Sequence, residues 1–146
     1  MELFYKLLFC FAGVCAFAFL FRAPLRLIPV SGVIGTLGYA LYYSFLQLSM
    51  PALFCFFTVP LFLSLLSEFG AILFKTPATV FLSTSIFVLV PGLDLYRTVS
   101  LFVFGDYGTG AQTGVRTFLI VGAMAMAIAF STLLVRLVKN AAAAAK

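Results

Sequence analysis

Long apolar runs, each of about 20 residues and separated by short polar segments, dominate this sequence. The first covers residues 3–21, the second 28–48, the third 52–74 and the last 115–138. A helix of about 20 apolar residues, rising about 1.5 Å per residue, crosses about 30 Å of hydrocarbon. The pattern therefore predicts helices that span a membrane.

The composition leads to the same conclusion. Hydrophobic residues make up 64% of the chain and charged residues 9%, with a mean hydropathy of +1.22. A soluble domain is about half apolar and about a quarter charged, and a chain this short cannot bury such an excess in one core. We expect a single transmembrane helical domain over residues 1–140. A low-complexity alanine tail follows at 141–146, and its origin is left open.

Several functional classes are excluded or disfavoured by the residues themselves. The net charge of +5 comes from scattered bases, which argues against nucleic-acid binding, and the absence of histidine removes most zinc and imidazole chemistry. The cysteines lie inside apolar runs, as buried thiols do. No nucleophile elbow or phosphate loop is present. We therefore expect no enzyme activity, no cofactor and no metal site; the cysteines are Cys10, Cys15 and Cys55.

The amino-terminal run could be a signal peptide or a retained helix. It carries one early base, Lys6, and lacks an obvious small-residue cleavage site before Arg22. It is also longer than a usual signal core. We interpret it as a retained transmembrane helix.

The segment from Pro77 to Phe104 is irregular. Residues 78–90 are too few to span a bilayer, and Pro91-Gly92 interrupts the run before residues 93–104 continue it. Proline removes a helix hydrogen bond, so the segment is predicted to be one discontinuous span; a single helix kinked at Pro91 is the alternative. The predicted fold is thus an all-α integral membrane bundle of about five transmembrane helices, the fourth broken at Pro91-Gly92.

The distribution of bases predicts the orientation. Cytoplasmic ends of membrane helices carry an excess of lysine and arginine. Five crossings would place Lys6 and Arg116 on one side. The other side would hold six bases, Arg22, Arg26, Lys75, Arg136, Lys139 and Lys146. This predicts an amino terminus outside and a carboxyl terminus in the cytoplasm.

Two short stretches carry a likeness to a known family. The first is Lys75-Thr76-Pro77-Ala78-Thr79-Val80-Phe81. The second is Val88-Leu89-Val90-Pro91-Gly92, followed by Tyr96. Together they resemble the threonine/serine exporter family, and in particular its carboxyl-terminal half, which some bacteria encode as a separate small subunit. The resemblance implies export of small hydroxy amino acids, or of a dicarboxylate, across a bacterial inner membrane. It also implies a larger membrane subunit as partner.

Asp94 and Arg97 are the strongest candidates for substrate contact. Charges within a membrane are costly and are functional candidates by default. Their spacing places both on one helix face, where Arg97 could bind a carboxylate and Asp94 an amino group, or the two could simply neutralise each other. A half-helix starting at Gly92 would add an anion-attracting N-terminus, unless Asp94 caps it.

Further candidates lie on either side of Lys75, where the third apolar run ends. Glu68 is a candidate for proton coupling, or an interfacial glutamate. The hydroxyl-rich stretch from Thr76 to Ser85 could line a path, or could bond back to helix carbonyls. The predicted substrate-binding residues are Thr76, Pro77, Thr79, Pro91, Gly92, Asp94, Tyr96 and Arg97.

Small residues in two runs predict close helix packing. They are Gly32, Gly35 and Gly38 in the second run and Gly122, Ala123, Ala125, Ala127 and Ala129 in the last. The functional hypothesis is an exporter subunit. The alternatives are a non-transporting scaffold or assembly subunit, and a small oligomeric channel.

Overall fold

The computed structural model describes residues 2–144, and every regular element among them is helical. A single 3₁₀ turn, Phe87–Leu89, follows the fourth α-helix. The α-helices are α1 (Glu2–Leu20), α2 (Ile28–Gln47), α3 (Ala52–Phe74), α4 (Ala78–Ile86), α5 (Gly92–Val103) and α6 (Tyr107–Ala144). The predicted all-α fold is confirmed.

Three segments are long and apolar enough to cross a membrane, namely Leu3–Leu20, Ala52–Phe74 and Tyr107–Val138. The pair Ala78–Leu89 and Gly92–Val103 counts as a fourth if it is one span, and the two parts meet at a bend of 54°. The predicted break at Pro91-Gly92 is therefore confirmed, and the crossing of both halves as one span remains a prediction. Helix α2 has 20 residues, about 30 Å of helix, but it is less apolar, and its crossing remains a prediction.

The helices pack in a layered order. Helix α2 contacts α1 on one side and α3 on the other, and α4 lies against both α2 and α3. Helix α6 runs along α3, and its amino-terminal part carries α5. Their shared core contains four buried side chains, Val59 and Leu63 of α3, Phe81 of α4 and Ile120 of α6.

The glycines of α2 allow that layer to form. A Cβ atom at Gly32 would lie 2.6 Å from Cε2 of Phe11, and one at Gly35 would lie 2.7 Å from Cγ2 of Val14. Real Cβ atoms do not approach so closely, so only glycine lets α1 approach α2 at this distance. The helix-packing role predicted for these glycines is confirmed.

The last helix begins earlier than the sequence predicted. The predicted apolar run starts at residue 115, but the turn after α5 covers only 104–106 and α6 starts at Tyr107. Asp106 caps the helix, because its Oδ1 accepts a hydrogen bond from the Thr109 amide at 3.2 Å. Gly105 provides the turn with a φ of +83°.

Two glycines of α6 lie at its contact with α5. A Cβ atom at Gly110 would lie 3.4 Å from Cβ of Leu101, and one at Gly114 would lie 3.2 Å from Cγ2 of Thr98. Helices α5 and α6 thus form a close antiparallel hairpin. At its other end α6 continues through the expected boundary at residue 140 to Ala144, and residues 145 and 146 lie outside the described part.

Candidate functional site

The break between α4 and α5 is a tight turn. The 3₁₀ turn ends at Leu89, and the amide of Gly92 donates to the carbonyl oxygen of Val90 at 2.7 Å across Pro91. No side chain from the N-cap residue Pro91 caps the first turn of α5. The amino terminus of α5 therefore presents amide groups and the positive end of its dipole at the break.

A cavity of about 480 Å³ opens at this turn, and we call it the break cavity. Its walls come from the end of α2 (Tyr42, Leu46), the start of α3 (Ala52, Phe56) and Ile120 of α6. The break thus lies level with the first turns of α3. Residues 88–94, Arg97 and Arg116 complete the lining.

Three charged residues lie between the break cavity and a second cavity of about 480 Å³. They are Asp94 and Arg97 of α5 and Arg116 of α6, and they line both spaces. The second space, which we call the hairpin cavity, also contacts Tyr96, Ser100, Leu101, Gln112 and Thr113. The two predicted charges therefore do share one face of α5, together with a third charge from α6.

These charges are not paired with one another. Within residues 2–144, no ion pair joins Asp94 to Arg97 or Arg116, and the Asp94 carboxylate accepts no hydrogen bond. Its backbone oxygen accepts a hydrogen bond from Thr98 Oγ1 at 2.7 Å. Asp94 is half-buried, whereas Arg97 and Arg116 are exposed. Neither the mutual salt bridge nor the capping role considered for Asp94 is formed in this structure.

Such an arrangement suits a small ligand that carries opposite charges. Guanidinium groups bind carboxylates through charge-assisted, often bidentate, hydrogen bonds. The amide groups of the first turn of α5 add attraction for the same anion. The Asp94 carboxylate can accept hydrogen bonds from an ammonium group. The cluster can therefore bind an amino acid by both its charged ends.

The remaining predicted residues lie elsewhere. Glu68, Thr76, Pro77 and Thr79 line a third cavity, of about 500 Å³, between the end of α3, the start of α4 and the later part of α6. We call it the basal cavity. Because the segment from Ala78 to Leu89 separates the two places, they are about 18 Å apart along the helix axis. The single set of site residues predicted from sequence is thus divided between two ends of α4.

Three hydroxyls of α4 donate hydrogen bonds to backbone carbonyl groups. Ser83 Oγ donates to the Thr79 oxygen at 2.6 Å, and Thr84 Oγ1 donates to the Phe81 oxygen at 3.0 Å. Ser85 Oγ donates across to the Ser31 oxygen at 3.4 Å. These contacts fit the alternative in which the hydroxyls satisfy nearby carbonyl groups.

Sequence reasoning missed Arg116 and Tyr42 as cavity residues. Arg116 was counted only toward orientation, because it is distant from Arg97 in sequence and only the α5–α6 hairpin brings them together. A signal was present nonetheless. Arg116 is a charged residue at the start of a long apolar run, and a charge in such a segment is a functional candidate for the same reason as Asp94 and Arg97.

An all-helical chain with three to four candidate spans is a multi-pass membrane protein, and its charged cavities lie beside a broken helix. A sequence profile described as "Threonine/Serine exporter, ThrE" matches residues 6–134. The chain belongs to this family of transporters, as the two short motifs indicated. No curated protein and no solved structure gave a significant match.

Proposed function

We propose that this chain is a subunit of a secondary exporter for threonine and serine, and that the break cavity binds the exported amino acid. One observation carries the proposal. Asp94, Arg97 and Arg116, unpaired with one another, converge with the amino terminus of α5 on a single cavity. Discontinuous helices of transporters present such ends to substrate carboxylates.

The roles follow from charge. Arg97 and the first-turn amides of α5 bind the substrate carboxylate, and Asp94 binds its ammonium group. Arg116 lies in reach of the same space and leaves the cluster with one positive charge in excess. That excess favours a second carboxylate, so a dicarboxylate is the alternative substrate class.

A larger partner subunit is part of the proposal. Arg97 and Arg116 are exposed in this chain and line a cavity that is open on one side. A partner covering the open side of the break cavity would enclose these two charges. A scaffold subunit would instead be expected to pair its charges internally, which Asp94, Arg97 and Arg116 do not do.

The proposed location is the bacterial inner membrane, with the amino terminus outside and the carboxyl terminus in the cytoplasm. The base count supports this orientation if α2 crosses as the fifth span. Glu68 is proposed as the proton-coupling carboxylate, because it is the acidic residue among those that line the basal cavity.

Radiolabelled efflux tests the proposal. Cells lacking the chain should retain preloaded L-threonine or L-serine, and restoring the chain should restore efflux; succinate serves as the dicarboxylate probe. Loss of threonine efflux in an Arg97→Gln variant, at unchanged membrane abundance, supports the site. Normal efflux of all three compounds without the chain would refute the function.

Affinity purification in mild detergent tests the partner. The tagged chain should bring a larger membrane subunit with it in a fixed ratio. If the chain alone catalyses export in vesicles, the partner is not required and that part of the proposal is wrong.

A further inference from the structure

We infer that Tyr42 of α2 makes the break cavity selective for hydroxylated amino acids, by hydrogen bonding to the side-chain hydroxyl group of the substrate; this rests on the proposed function. Among the described residues that line this cavity, Tyr42 has the only uncharged side chain that forms conventional hydrogen bonds. The other polar side chains of the lining are Asp94, Arg97 and Arg116. A substrate hydroxyl group therefore has one uncharged side-chain partner in the cavity.

The charged groups and the tyrosine belong to different walls. Asp94 and Arg97 lie three positions apart on α5, so they share one face of that helix. Tyr42 lies near the end of α2, beside the start of α3. Asp94 and Tyr42 are close enough to interact electrostatically, so the two walls face the same small space.

This arrangement fixes the direction of the substrate side chain. An amino acid held by Arg97 through its carboxylate and by Asp94 through its ammonium group has both charged ends on α5. Its side chain then extends away from α5, toward the wall formed by α2 and α3. Apart from Tyr42, that wall is apolar, since it consists of Leu46, Ala52 and Phe56. The apolar residues suit the methyl group of threonine, and Tyr42 suits its hydroxyl group.

The ring of Tyr42 is held in place while its hydroxyl group stays free. The ring packs against that of buried Phe56, with centroids 5.4 Å apart and an angle of 52° between the planes. Within residues 2–144 the hydroxyl group makes no hydrogen bond, and its Oη atom keeps accessible surface. The hydroxyl group is therefore available to a ligand without first breaking a contact within the chain.

Valine is the amino acid that this contact should reject. Its side chain has the shape of the threonine side chain, with a methyl group in place of the hydroxyl group. Bound in the same pose, valine would take water away from Tyr42 and give its hydroxyl group no partner, which is unfavourable. A site that hydrogen-bonds a substrate hydroxyl group discriminates against the analogue lacking it in this way.

Competition in inside-out membrane vesicles that contain the chain and its natural subunits tests the inference. Uptake of radiolabelled L-threonine is measured against unlabelled L-threonine and L-valine, which gives the preference of the site for threonine over valine. The wild type should prefer threonine. Tyr42→Phe removes only the hydroxyl group. It should weaken competition by threonine about two- to tenfold, the range for one uncharged hydrogen bond, and leave competition by valine unchanged.

Tyr43→Phe is the matched control. Tyr43 is the neighbouring tyrosine and is also half-buried, but its ring lies 5.2 Å from Nζ of Lys6 and does not line the break cavity. This variant should keep the wild-type preference. If Tyr42→Phe does not reach the membrane, Tyr42→Met serves as a second variant without the hydroxyl group.

Three results would overturn the role of Tyr42 and leave the exporter standing. They are a wild type that does not prefer threonine, a hydroxyl-free variant that keeps the wild-type preference, and equal weakening of both competitors. Wild-type vesicles that take up neither L-threonine nor L-serine would instead contradict the proposed amino-acid export itself.

Discussion

Gly38 of α2 lies directly against Leu63 of α3. A Cβ atom at Gly38 would be 2.6 Å from Cδ2, 2.8 Å from Cγ and 2.9 Å from Cδ1 of that leucine. Leu63 is fully buried, so its whole isobutyl group would have to move into an occupied core. This contact holds the α2–α3 pair at its observed separation.

Gly38→Ala should therefore destabilise the protein. Overpacking a full core costs about 1–3 kcal/mol. Gly122→Ala is the matched control, because a Cβ atom at Gly122 meets nothing within 4 Å. The unfolding temperature of each variant in detergent is measured by heating samples and following the loss of the monodisperse peak in size-exclusion chromatography. Equal midpoints for the two variants would show that the Gly38 contact does not limit helix packing.

The glycines show which part of the helix packing could be predicted from the sequence. Small-residue spacing predicted that both runs pack closely, and α2 does so on both of its sides. Gly122 was predicted to pack with the other small residues, but a Cβ atom there meets nothing within 4 Å. Among the described residues, α6 packs mainly against α3 and α5. Periodicity identifies a face that can pack; whether another helix reaches it depends on tertiary arrangement.

Gly92→Leu should block transport without preventing folding. A Cβ atom at Gly92 has no neighbour within 4 Å, so a leucine there should not clash with the backbone or side chains around it. Because Gly92 lines the break cavity, the leucine side chain should fill part of that cavity. Gly92→Ala is the size control and should retain efflux. Efflux of radiolabelled threonine is compared at equal membrane abundance. A fully active Gly92→Leu protein would place the substrate elsewhere.

The charge cluster predicts a second transport result. Because Asp94 and Arg97 form no ion pair with each other, neutralising both should not restore what either loss removes. Asp94→Asn, Arg97→Gln and their double variant should all lose efflux while reaching the membrane normally. If the arginine contact to substrate is buried in the complex, Arg97→Ala costs about 2–5 kcal/mol of binding. Near-normal efflux in the double variant would indicate a structural pair instead.

The cluster also marks the limit of reading this site from sequence. Asp94 and Arg97 were identified because they lie three positions apart on one predicted helix. Arg116 joins them through the α5–α6 contact, where Gly110 and Gly114 of α6 lie against α5. Thr76, Pro77 and Thr79 were predicted to share one substrate site with the break residues, but they line the basal cavity at the opposite end of α4. Local spacing could predict pairs within a helix, whereas cavities formed by three helices require the fold.

The orientation of α6 gives a fourth prediction. Gly108 and Asn140 lie near opposite ends of one long apolar helix, and both are exposed. In a cysteine-free background, an impermeant maleimide should label Gly108→Cys in intact cells and Asn140→Cys only after lysis. The reverse pattern would invert the proposed orientation, and labelling of both in intact cells would remove α6 as a span. The native cysteines to be replaced are Cys10, Cys15 and Cys55.

The same labelling decides whether α2 is the fifth crossing. Leu25 and Met50 flank this helix and are both exposed. The 20 residues of α2 are enough to cross about 30 Å. The links to α1 and α3 are short, so its two ends should lie on opposite sides. We expect Met50→Cys to react in intact cells and Leu25→Cys to react only after lysis. Reaction of both positions from one side would leave four spans, put the termini on the same side and remove the charge argument for an external amino terminus.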